Sequence, residues 1–311
     1  MFSVSISSAR NLFLCAIGAA LLPVTAHGQI FETNYGNGIA GDGSVGEYTF
    51  SGATVNASLI SGLNLPYAVL IDGSDLFLTN NGGGTIGEYT TSGAAINPAL
   101  ISGLSGPVGI ILSGSDIFVA NRDAGTIGEY TTSGSTVNAS LVSGLNQPYG
   151  IVMSGSDIFV ANRGNGTIGE YTTSGGTVNP ALVSGLSGVN GIAISGTDLF
   201  ETNFNAGTIG EFTTSGATVN SALVSGLSDP QGIAISGSNL FESNAPDSDF
   251  GTINEYTTSG APINVPLITG LDESNAMTVV VVPEPASAAT LAVAASGLML
   301  RRRRREQAKG R

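Results

Sequence analysis

The sequence predicts an all-β protein, a six-bladed β-propeller of four-stranded blades in which a composite blade closes the ring. The first observation is a nine-residue phrase, TIGEYTTSG, that recurs with small changes at 44–52, 85–93, 126–134, 167–175, 208–216 and 252–260. The second is its spacing, since the glutamates lie 41 residues apart four times and 44 residues apart once. Such a unit has the length of a propeller blade. The third is that the array begins and ends inside a unit.

The third unit shows the four strands expected in one blade. Runs rich in β-branched and aromatic residues, which favour strands, occur at PYGIVM (148–153), DIFVAN (157–162), TIGEYTT (167–173) and TVNPALVSGL (177–186). The SGS between the first two runs places glycine at the first central position of a two-residue hairpin, which suits a type II′ turn. Each unit is therefore predicted to form one antiparallel sheet.

The two ends of the array complement each other. The segment QIFETN (29–34) corresponds to the second strand of a unit, and NAMTVVVV (275–282) corresponds to a first strand. Three strands from the start and one from the end make one full blade if the ring closes, and closure covers both sheet edges. An open β-solenoid is the alternative, but it does not explain complementary ends. We predict one propeller domain over residues 29–282.

The unit also resembles a known blade. The stretch QPYGIVMSGSDIFVANRGNGTIGEY (147–171) is similar to the blades of NHL-type and SMP-30-like propellers, in its P-x-G-I innermost strand and its I-F-V-A-N second strand. The resemblance implies the propeller fold and an extracytoplasmic binding scaffold. In the SMP-30-like group it also implies a divalent metal held in the central channel by Glu, Asn and Asp, with lactonase or hydrolase activity.

Residues 1–28 have the pattern of a secretory signal peptide. Arg10 precedes the apolar run LFLCAIGAALLPV (12–24), and small residues follow it. A buried helix or an uncleaved anchor is the alternative. Export and cleavage would remove Cys15, the one cysteine of the chain. The mature protein would then have no disulfide, no thiolate metal site and no cysteine nucleophile.

Residues 283–311 resemble a PEP-CTERM sorting signal. Pro283, Glu284 and Pro285 are followed by an uncharged run (286–300) and by the basic cluster Arg301, Arg302, Arg303, Arg304 and Arg305. The resemblance implies a hydrophobic transmembrane helix over 286–300 and an exosortase-type peptidase as a partner. The protein is then expected to be exported and membrane-anchored until processed, and afterwards to reach the cell surface, the matrix or the medium. A basic nucleic-acid-binding tail is the alternative, but it leaves the apolar run unexplained.

Composition excludes several functions. Residues 29–282 contain 21 acidic residues and two arginines, and charged residues are only 11% of the chain. A basic surface for DNA, RNA or anionic lipid is therefore excluded from this part of the chain. His27, the only histidine, lies at the signal boundary. No Ser/His/Asp or Cys/His arrangement can then form in the core.

Candidate binding residues lie where the repeats differ. Arg122 and Arg163 occupy the same position in adjacent units, in the loops between second and third strands. Two neighbouring guanidinium groups could bind a carboxylate or an acidic sugar, or they could balance local acids such as Asp123. Tyr67 and Tyr149 could stack on a sugar ring, or they could pack at the start of the first strand.

Candidate metal ligands are few. Glu32, Glu201 and Glu242 precede the last residue of their second strands by two positions, and strand alternation would point them between blades rather than into the channel. Asp247 and Asp249 could supply oxygen ligands to Ca²⁺. Two carboxylates do not fill a shell of six to eight ligands, so a plain surface loop is the alternative.

The repeated polar residues are predicted to be structural. A catalytic site needs distinct roles at one place, whereas six equivalent glutamates supply six equal places. We expect them to be solvated on the third strands, with the neighbouring tyrosines packed on the opposite face. Asparagines that end the second strands are expected to bond local backbone, or else to form a ring of amide groups near the mouth of the channel. They are Asn34, Asn80, Asn121, Asn162, Asn203 and Asn244.

Two functional hypotheses remain. The first is a secreted or surface-sorted, non-catalytic scaffold that binds glycan or protein in the envelope or exopolysaccharide matrix. The second is a metal-dependent lactonase or hydrolase of the SMP-30-like type. The innermost strands carry no acid, which favours the scaffold, because fold alone does not determine activity.

Overall fold

A computed structural model describes residues 27–36, 39–245, 251–271 and 274–282, and His27–Val282 forms one compact unit. The signal segment up to residue 26, the sorting tail (283–311), Asp247 and Asp249 lie outside the described residues. Within the described ranges no helix is long and apolar enough to cross a membrane. The first strand begins at His27, inside the segment 1–28 that the sequence assigns to the signal peptide.

The described residues form 24 strands. In chain order they are β1 (His27–Asn34), β2 (Gly43–Thr49), β3 (Thr54–Leu63), β4 (Pro66–Asp72), β5 (Asp75–Asn80), β6 (Thr85–Thr90), β7 (Ala95–Ser102), β8 (Pro107–Ser113), β9 (Asp116–Asn121), β10 (Thr126–Thr131), β11 (Thr136–Ser143), β12 (Pro148–Ser154), β13 (Asp157–Asn162), β14 (Thr167–Thr172), β15 (Thr177–Ser184), β16 (Val189–Ser195), β17 (Asp198–Asn203), β18 (Thr208–Thr213), β19 (Thr218–Ser225), β20 (Pro230–Ser236), β21 (Asn239–Asn244), β22 (Gly251–Thr257), β23 (Pro262–Leu271) and β24 (Ser274–Val282).

These strands form six antiparallel sheets of four strands, which confirms the predicted propeller. Blades 1 to 5 are continuous in sequence: β4–β7, β8–β11, β12–β15, β16–β19 and β20–β23. In the third blade the strands agree with the predicted runs to within two residues. The hairpin between β12 and β13 has Gly155 at φ +62°, the positive φ that its first central position requires.

Blade 6 is composite and closes the ring. Its strand order is β24-β1-β2-β3, with one strand from the end of the array and three from the start. The pairing of β1 with β24 is antiparallel, with His27 opposite Val282 and Phe31 opposite Thr278. The predicted closure is therefore confirmed.

The core consists of six apolar layers, one between each pair of adjacent blades. The layer between blades 2 and 3, for example, joins Phe118 and Ile127 to Ile158 and Tyr171. Every layer contains the phenylalanine from the middle of one second strand, which is at most 2% exposed. These residues are Phe31, Phe77, Phe118, Phe159, Phe200 and Phe241.

The repeated phrase builds one strand and the turn after it. In blade 2, Ile127 and Tyr130 are buried in the inter-blade layers, and the Tyr130 ring lies over Gly128, where an added Cβ would meet a ring carbon at 2.7 Å. The turn is held by Thr131, whose Oγ1 accepts a 3.0 Å hydrogen bond from the backbone N–H of Ser135. The phrase is therefore repeated because it encodes the same strand, turn and packing in each blade.

Candidate ligand-binding site at the channel mouth

One face of the ring carries the loops between second and third strands together with the connections between blades. The backbone N–H of Arg122 donates a 2.9 Å hydrogen bond to the Gly106 carbonyl, and that of Arg163 donates one of 3.0 Å to the Gln147 carbonyl. Gly106 and Gln147 belong to the links that precede the innermost strands. Both arginines are thus fixed at the end of the central channel.

The channel is narrow because its innermost strands carry small residues where they approach each other. A Cβ added to Gly109 would lie 2.3 Å from the Tyr149 carbonyl oxygen, and one added to Gly150 would lie 2.5 Å from that of Asn190. The cavity between the six innermost strands measures about 110 Å³. A cavity of this size has room for several water molecules.

Polar side chains close this channel at the loop face. The hydroxyl of Tyr67 in blade 1 donates a 2.9 Å hydrogen bond to Oδ1 of Asn190 in blade 4, on the opposite side of the ring. Asn190 in turn donates to Gln231 of blade 5. The Tyr149 ring of blade 3 meets the Tyr67 ring edge-on, with centroids 5.6 Å apart. Burial raises the pKa of Tyr67 well above its usual range, so its hydroxyl stays protonated and acts as a donor.

Arg122 is neutralised by its neighbour in sequence. Its Nε donates a 2.7 Å hydrogen bond to Oδ1 of Asp123, and its second nitrogen donates one of 3.3 Å to Oδ2. This is the two-point pairing of a guanidinium with a carboxylate. The hydrogen bond to Arg122 lowers the pKa of Asp123 from its usual value. A third, longer contact of 3.5 Å reaches the Tyr149 hydroxyl.

Arg163 has aromatic neighbours instead of an acid. Its guanidinium carbon lies 4.9 Å from the centre of the Tyr149 ring and 4.6 Å from that of the Phe204 ring. Both distances are typical of cation–π contacts. Among the described residues it forms no ion pair or hydrogen bond through its side chain. The residue after it is Gly164, where blade 2 has Asp123.

We call these seven residues the mouth cluster: Tyr67, Arg122, Tyr149, Arg163, Asn190, Phe204 and Gln231. Four of them, and Asp123 beside them, are candidate residues from the sequence, and the structure brings them together. Tyr67 and Tyr149 are only 9% exposed, so their rings pack at the start of the innermost strands and do not offer an open stacking face.

Asn190, Gln231 and Phe204 were missed from sequence. They are the counterparts, in blades 4 and 5, of the predicted tyrosines and arginines. A comparison of the six units at those two positions would have found them, because both positions vary while the surrounding phrase stays constant.

The candidate metal ligands Glu32, Glu201 and Glu242 lie elsewhere. Each side chain is 0% exposed. They are on second strands, on faces that pack against the preceding blade, so each lies in a different inter-blade layer. Blades 1, 2 and 3 have Leu78, Val119 and Val160 at the equivalent position. The three carboxyl groups therefore do not converge on the channel.

Burial is the main cause of the shifted pKa values of these three carboxyl groups. It raises the pKa of Glu32, Glu201 and Glu242 from 4.5 to about 8 in each case. Asn203 donates a 2.6 Å hydrogen bond to Glu201, and Asn254 donates one of 3.0 Å to Glu242. Both oxygens of Glu32 are buried without a hydrogen bond of ordinary geometry. In the part of the chain that the structure describes, no three His, Cys, Asp or Glu side chains are grouped to hold a metal ion.

The repeated third-strand glutamates only partly match the prediction of solvated side chains. Glu88, Glu129, Glu170 and Glu211 are half-buried, whereas Glu47 and Glu255 are only 8% and 4% exposed. The prediction was wrong for the last two, because amide side chains cover them. Gln29 donates to Glu47, and Asn264 donates a 2.6 Å hydrogen bond to Glu255. The tyrosines are buried as predicted.

The strand-ending asparagines are structural, but they bond to side chains of the next strand and not to local backbone as predicted. Asn121, Asn162 and Asn203 each donate through Nδ2 to the threonine that begins the next strand, at 3.5, 3.4 and 3.2 Å. These bonds hold the ends of the second and third strands together just below the loops. They place the following residue, which is Arg122 in blade 2 and Arg163 in blade 3.

Several solved structures share this fold. A chain in a nidogen/laminin complex matches with a TM-score of 0.68 at 15% identity, over 83% of this chain and 100% of that one. A putative 6-phosphogluconolactonase from Bacteroides uniformis matches with a TM-score of 0.56 at 15% identity, over 75% and 80%. An inactive virginiamycin B lyase from Staphylococcus aureus, solved with quinupristin, matches at 0.54 and 19%, over 78% and 87%.

These neighbours are NHL-type or β-propeller-like proteins, in agreement with the resemblance seen in the sequence. At such low identity the likeness shows the fold alone. No protein-family model matches the sequence, and no curated protein matches it.

Proposed function

We propose that this protein is an exported, non-catalytic β-propeller that binds a glycan or protein of the bacterial envelope or exopolysaccharide matrix through the mouth cluster. The observation that carries the proposal is the placement of Arg122 and Arg163. The only two basic residues between 29 and 282 stand side by side at the channel mouth, on a propeller with 21 acidic residues.

The arrangement of the mouth supports binding rather than chemistry. The Tyr67–Asn190 hydrogen bond spans the ring, and the cavity beneath it is about 110 Å³. A ligand too large for this cavity must therefore lie over the mouth. There it would meet guanidinium, hydroxyl and amide groups, which recognise charged and hydroxylated ligands. A histidine base, a cysteine nucleophile or an acid pair is not among the mouth residues.

The competing hypothesis is a metal-dependent lactonase or hydrolase. The solved structure of a putative 6-phosphogluconolactonase has a similar fold. A shared fold does not by itself imply a shared activity. The hypothesis needs Glu32, Glu201 and Glu242 to act together, whereas they lie in three separate layers. Thermal unfolding with EDTA and then with Ca²⁺, Mg²⁺ or Zn²⁺ distinguishes the two. A metal at a hundred times its dissociation constant stabilises a protein by about 2.7 kcal/mol, and such a shift would favour the enzyme.

The sorting part of the proposal depends on the tail. Pro283, Glu284 and Pro285, the uncharged run and Arg301–Arg305 match the three parts of a PEP-CTERM signal in order. We expect the full chain to be exported and then processed by an exosortase-type peptidase. In the native cell, replacing Pro283 and Glu284 by alanine should leave the protein unprocessed in the membrane fraction. Unchanged processing and location would contradict this part.

Binding is tested by co-sedimentation of the labelled full chain with isolated cell envelopes and with extracellular matrix. The test variant is the double substitution Arg122→Gln/Arg163→Gln. The control is Val178→Ser, which changes a side chain 53% exposed on the outermost strand of blade 3, away from the mouth. Loss of charged hydrogen bonds is expected to weaken binding of the double variant about tenfold or more.

The control variant should bind as the wild type does. Equal binding by the double variant would show that the mouth is not the binding site. Failure of the wild type to bind either fraction would overturn the proposed function.

A further inference from the structure

Arg122 and Arg163 form a natural matched pair. They occupy equivalent positions in blades 2 and 3, 41 residues apart, and both side chains are half-buried. Each amide is fixed by the same kind of bond to the preceding inter-blade link. They differ in the next residue of the chain, which is Asp123 after Arg122 and Gly164 after Arg163. One guanidinium therefore has a carboxylate of its own and the other does not.

Asp123 shows how a carboxylate sits on such a guanidinium. It accepts two hydrogen bonds from Arg122, of 2.7 and 3.3 Å. Arg163 is held in place by the rings of Tyr149 and Phe204, which contact its guanidinium without using its N–H donors. Fixing a guanidinium before binding reduces the entropy that binding costs. A half-buried guanidinium without an acid is a site for an external anion.

From these contacts we infer that Arg163 binds a carboxylate of an acidic polysaccharide, in the way that Arg122 binds Asp123. This inference rests on the proposed function and names the chemistry of its ligand, which is a sugar chain bearing uronate-type carboxylates. A planar carboxylate matches the guanidinium fork in two-point geometry.

A sugar chain fits the mouth better than an acidic peptide does. The mouth cluster also contains the Tyr149 hydroxyl and the Gln231 amide, which can exchange hydrogen bonds with sugar hydroxyls. Tyr67 and Tyr149 are packed against each other, so no apolar pocket opens for peptide side chains. An acidic peptide is therefore an alternative that the experiment excludes or reveals.

The test measures binding of a defined uronate oligosaccharide to the full chain by isothermal titration calorimetry. The probes are trigalacturonate, its methyl ester, which keeps the sugar and removes the charge, and triglutamate. The wild type should bind trigalacturonate at least about tenfold more tightly than the ester, because the ester loses two charged hydrogen bonds. It should also bind trigalacturonate more tightly than triglutamate, which keeps its carboxylates but lacks the sugar hydroxyls.

Four variants locate the carboxylate. Arg163→Gln should weaken trigalacturonate binding about tenfold or more, and Arg163→Lys should recover only part of it, since an ammonium lacks the fork. Val178→Ser, the control on the exposed outermost strand of blade 3, should change binding less than about threefold, because it lies away from the mouth. The double variant Asn146→Ser/Gly164→Asp copies blade 2, so it should supply an internal carboxylate and weaken binding about as much as Arg163→Gln.

Asn146 is included because a Cβ at Gly164 would collide with its side chain, whereas blade 2 has Ser105 at that position. Circular dichroism of each variant checks that the propeller is folded. Equal binding of the acid and its ester, unchanged in Arg163→Gln, would overturn the inference and leave the proposed binding function in place. Preference for triglutamate, or no binding of trigalacturonate at millimolar concentration, would also overturn it. Absence of envelope and matrix binding as well would overturn both proposals.

Discussion

The hydroxyl of Tyr67 and the side-chain oxygen of Asn190 are joined by a 2.9 Å hydrogen bond across the central channel, from blade 1 to blade 4. The two residues are 123 positions apart in sequence, which is three repeats. No contact within a blade fixes this distance. The bond forms because six blades close into one ring and bring opposite blades face to face at the mouth.

Tyr67→Phe is predicted to destabilise the propeller by about 1–3 kcal/mol, because it leaves the Asn190 oxygen buried without its donor. Asn190 is only 2% exposed, so water cannot replace the hydroxyl at low cost. Urea denaturation measures the change. Tyr89→Phe is the control, since blade 4 has Phe212 at the equivalent position. A loss of stability as large in the control would contradict a specific role for the bond across the ring.

Gly134→Ala is predicted to cost more stability than Gly144→Ala. Both glycines have positive φ, +86° and +77°, so both substitutions strain the backbone by about 1 kcal/mol. A Cβ at Gly134 would also lie 2.5 Å from the carbonyl oxygen of Leu100 in the preceding blade, whereas Gly144 faces open space. We expect an additional loss of about 1–3 kcal/mol at Gly134. Equal losses in thermal unfolding would show that the turn does not hold neighbouring blades together.

The stability of the propeller is predicted to fall as the pH rises from about 4.5 to about 8. Burial raises the pKa of Glu201 from 4.5 to about 8, so the folded state retains a proton that the unfolded chain releases. The stabilisation is complete below the unfolded pKa and is lost as the pH passes the folded pKa. Glu201→Val copies Val160 of blade 3 and should flatten this part of the curve.

Urea denaturation at a series of pH values measures the effect. The advantage of Glu201→Val over the wild type should grow from pH 5 to pH 9. Parallel curves for the two proteins would mean that Glu201 does not lose a proton in this range, or that it does so equally in both states.

Arg163 and Phe204 are predicted to stabilise each other. Their contact, with 4.6 Å between guanidinium carbon and ring centre, should give a coupling free energy of about 0.5–1 kcal/mol in a double-mutant cycle. The cycle combines Arg163→Gln with Phe204→Leu in urea denaturation. A parallel cycle of Arg122→Gln with Phe204→Leu should be additive. Additivity in both cycles would contradict the view that Phe204 holds Arg163 in place.

The periodic features of the fold were predictable because each is local. The strands of blade 3, the hairpin glycine Gly155 and the buried Tyr171 follow from alternation and turn chemistry within one unit. Closure by blade 6 was predictable because the two ends are fragments of the same repeated pattern. Arg122 and Arg163 were found because they break that pattern.

The features that escaped prediction depend on side-chain contacts between different strands or between neighbouring blades. Glu255 is buried because Asn239 and Asn264, on the strands beside it, both donate to its carboxylate, at 2.9 and 2.6 Å. Blades 1 to 4 have an aspartate in place of Asn239, whereas blade 6 has Gln29 there and its Glu47 is buried too. Phe204 contributes to the mouth only because blade 4 follows blade 3 around the ring, which places it on the far side of Arg163. Neither contact produces a repeated residue pattern from which it could be predicted.

The closure of blade 6 has a mechanical consequence. His27 lies opposite Val282, so the two ends of the propeller leave from the same end of an antiparallel pair. A force that pulls these ends apart acts across the strands and separates the hydrogen bonds of β1 and β24 one pair after another. Blades 1 to 5 have no strand in this seam. A low force would therefore separate β1 from β24 and open the ring at blade 6, while the other five sheets stay folded.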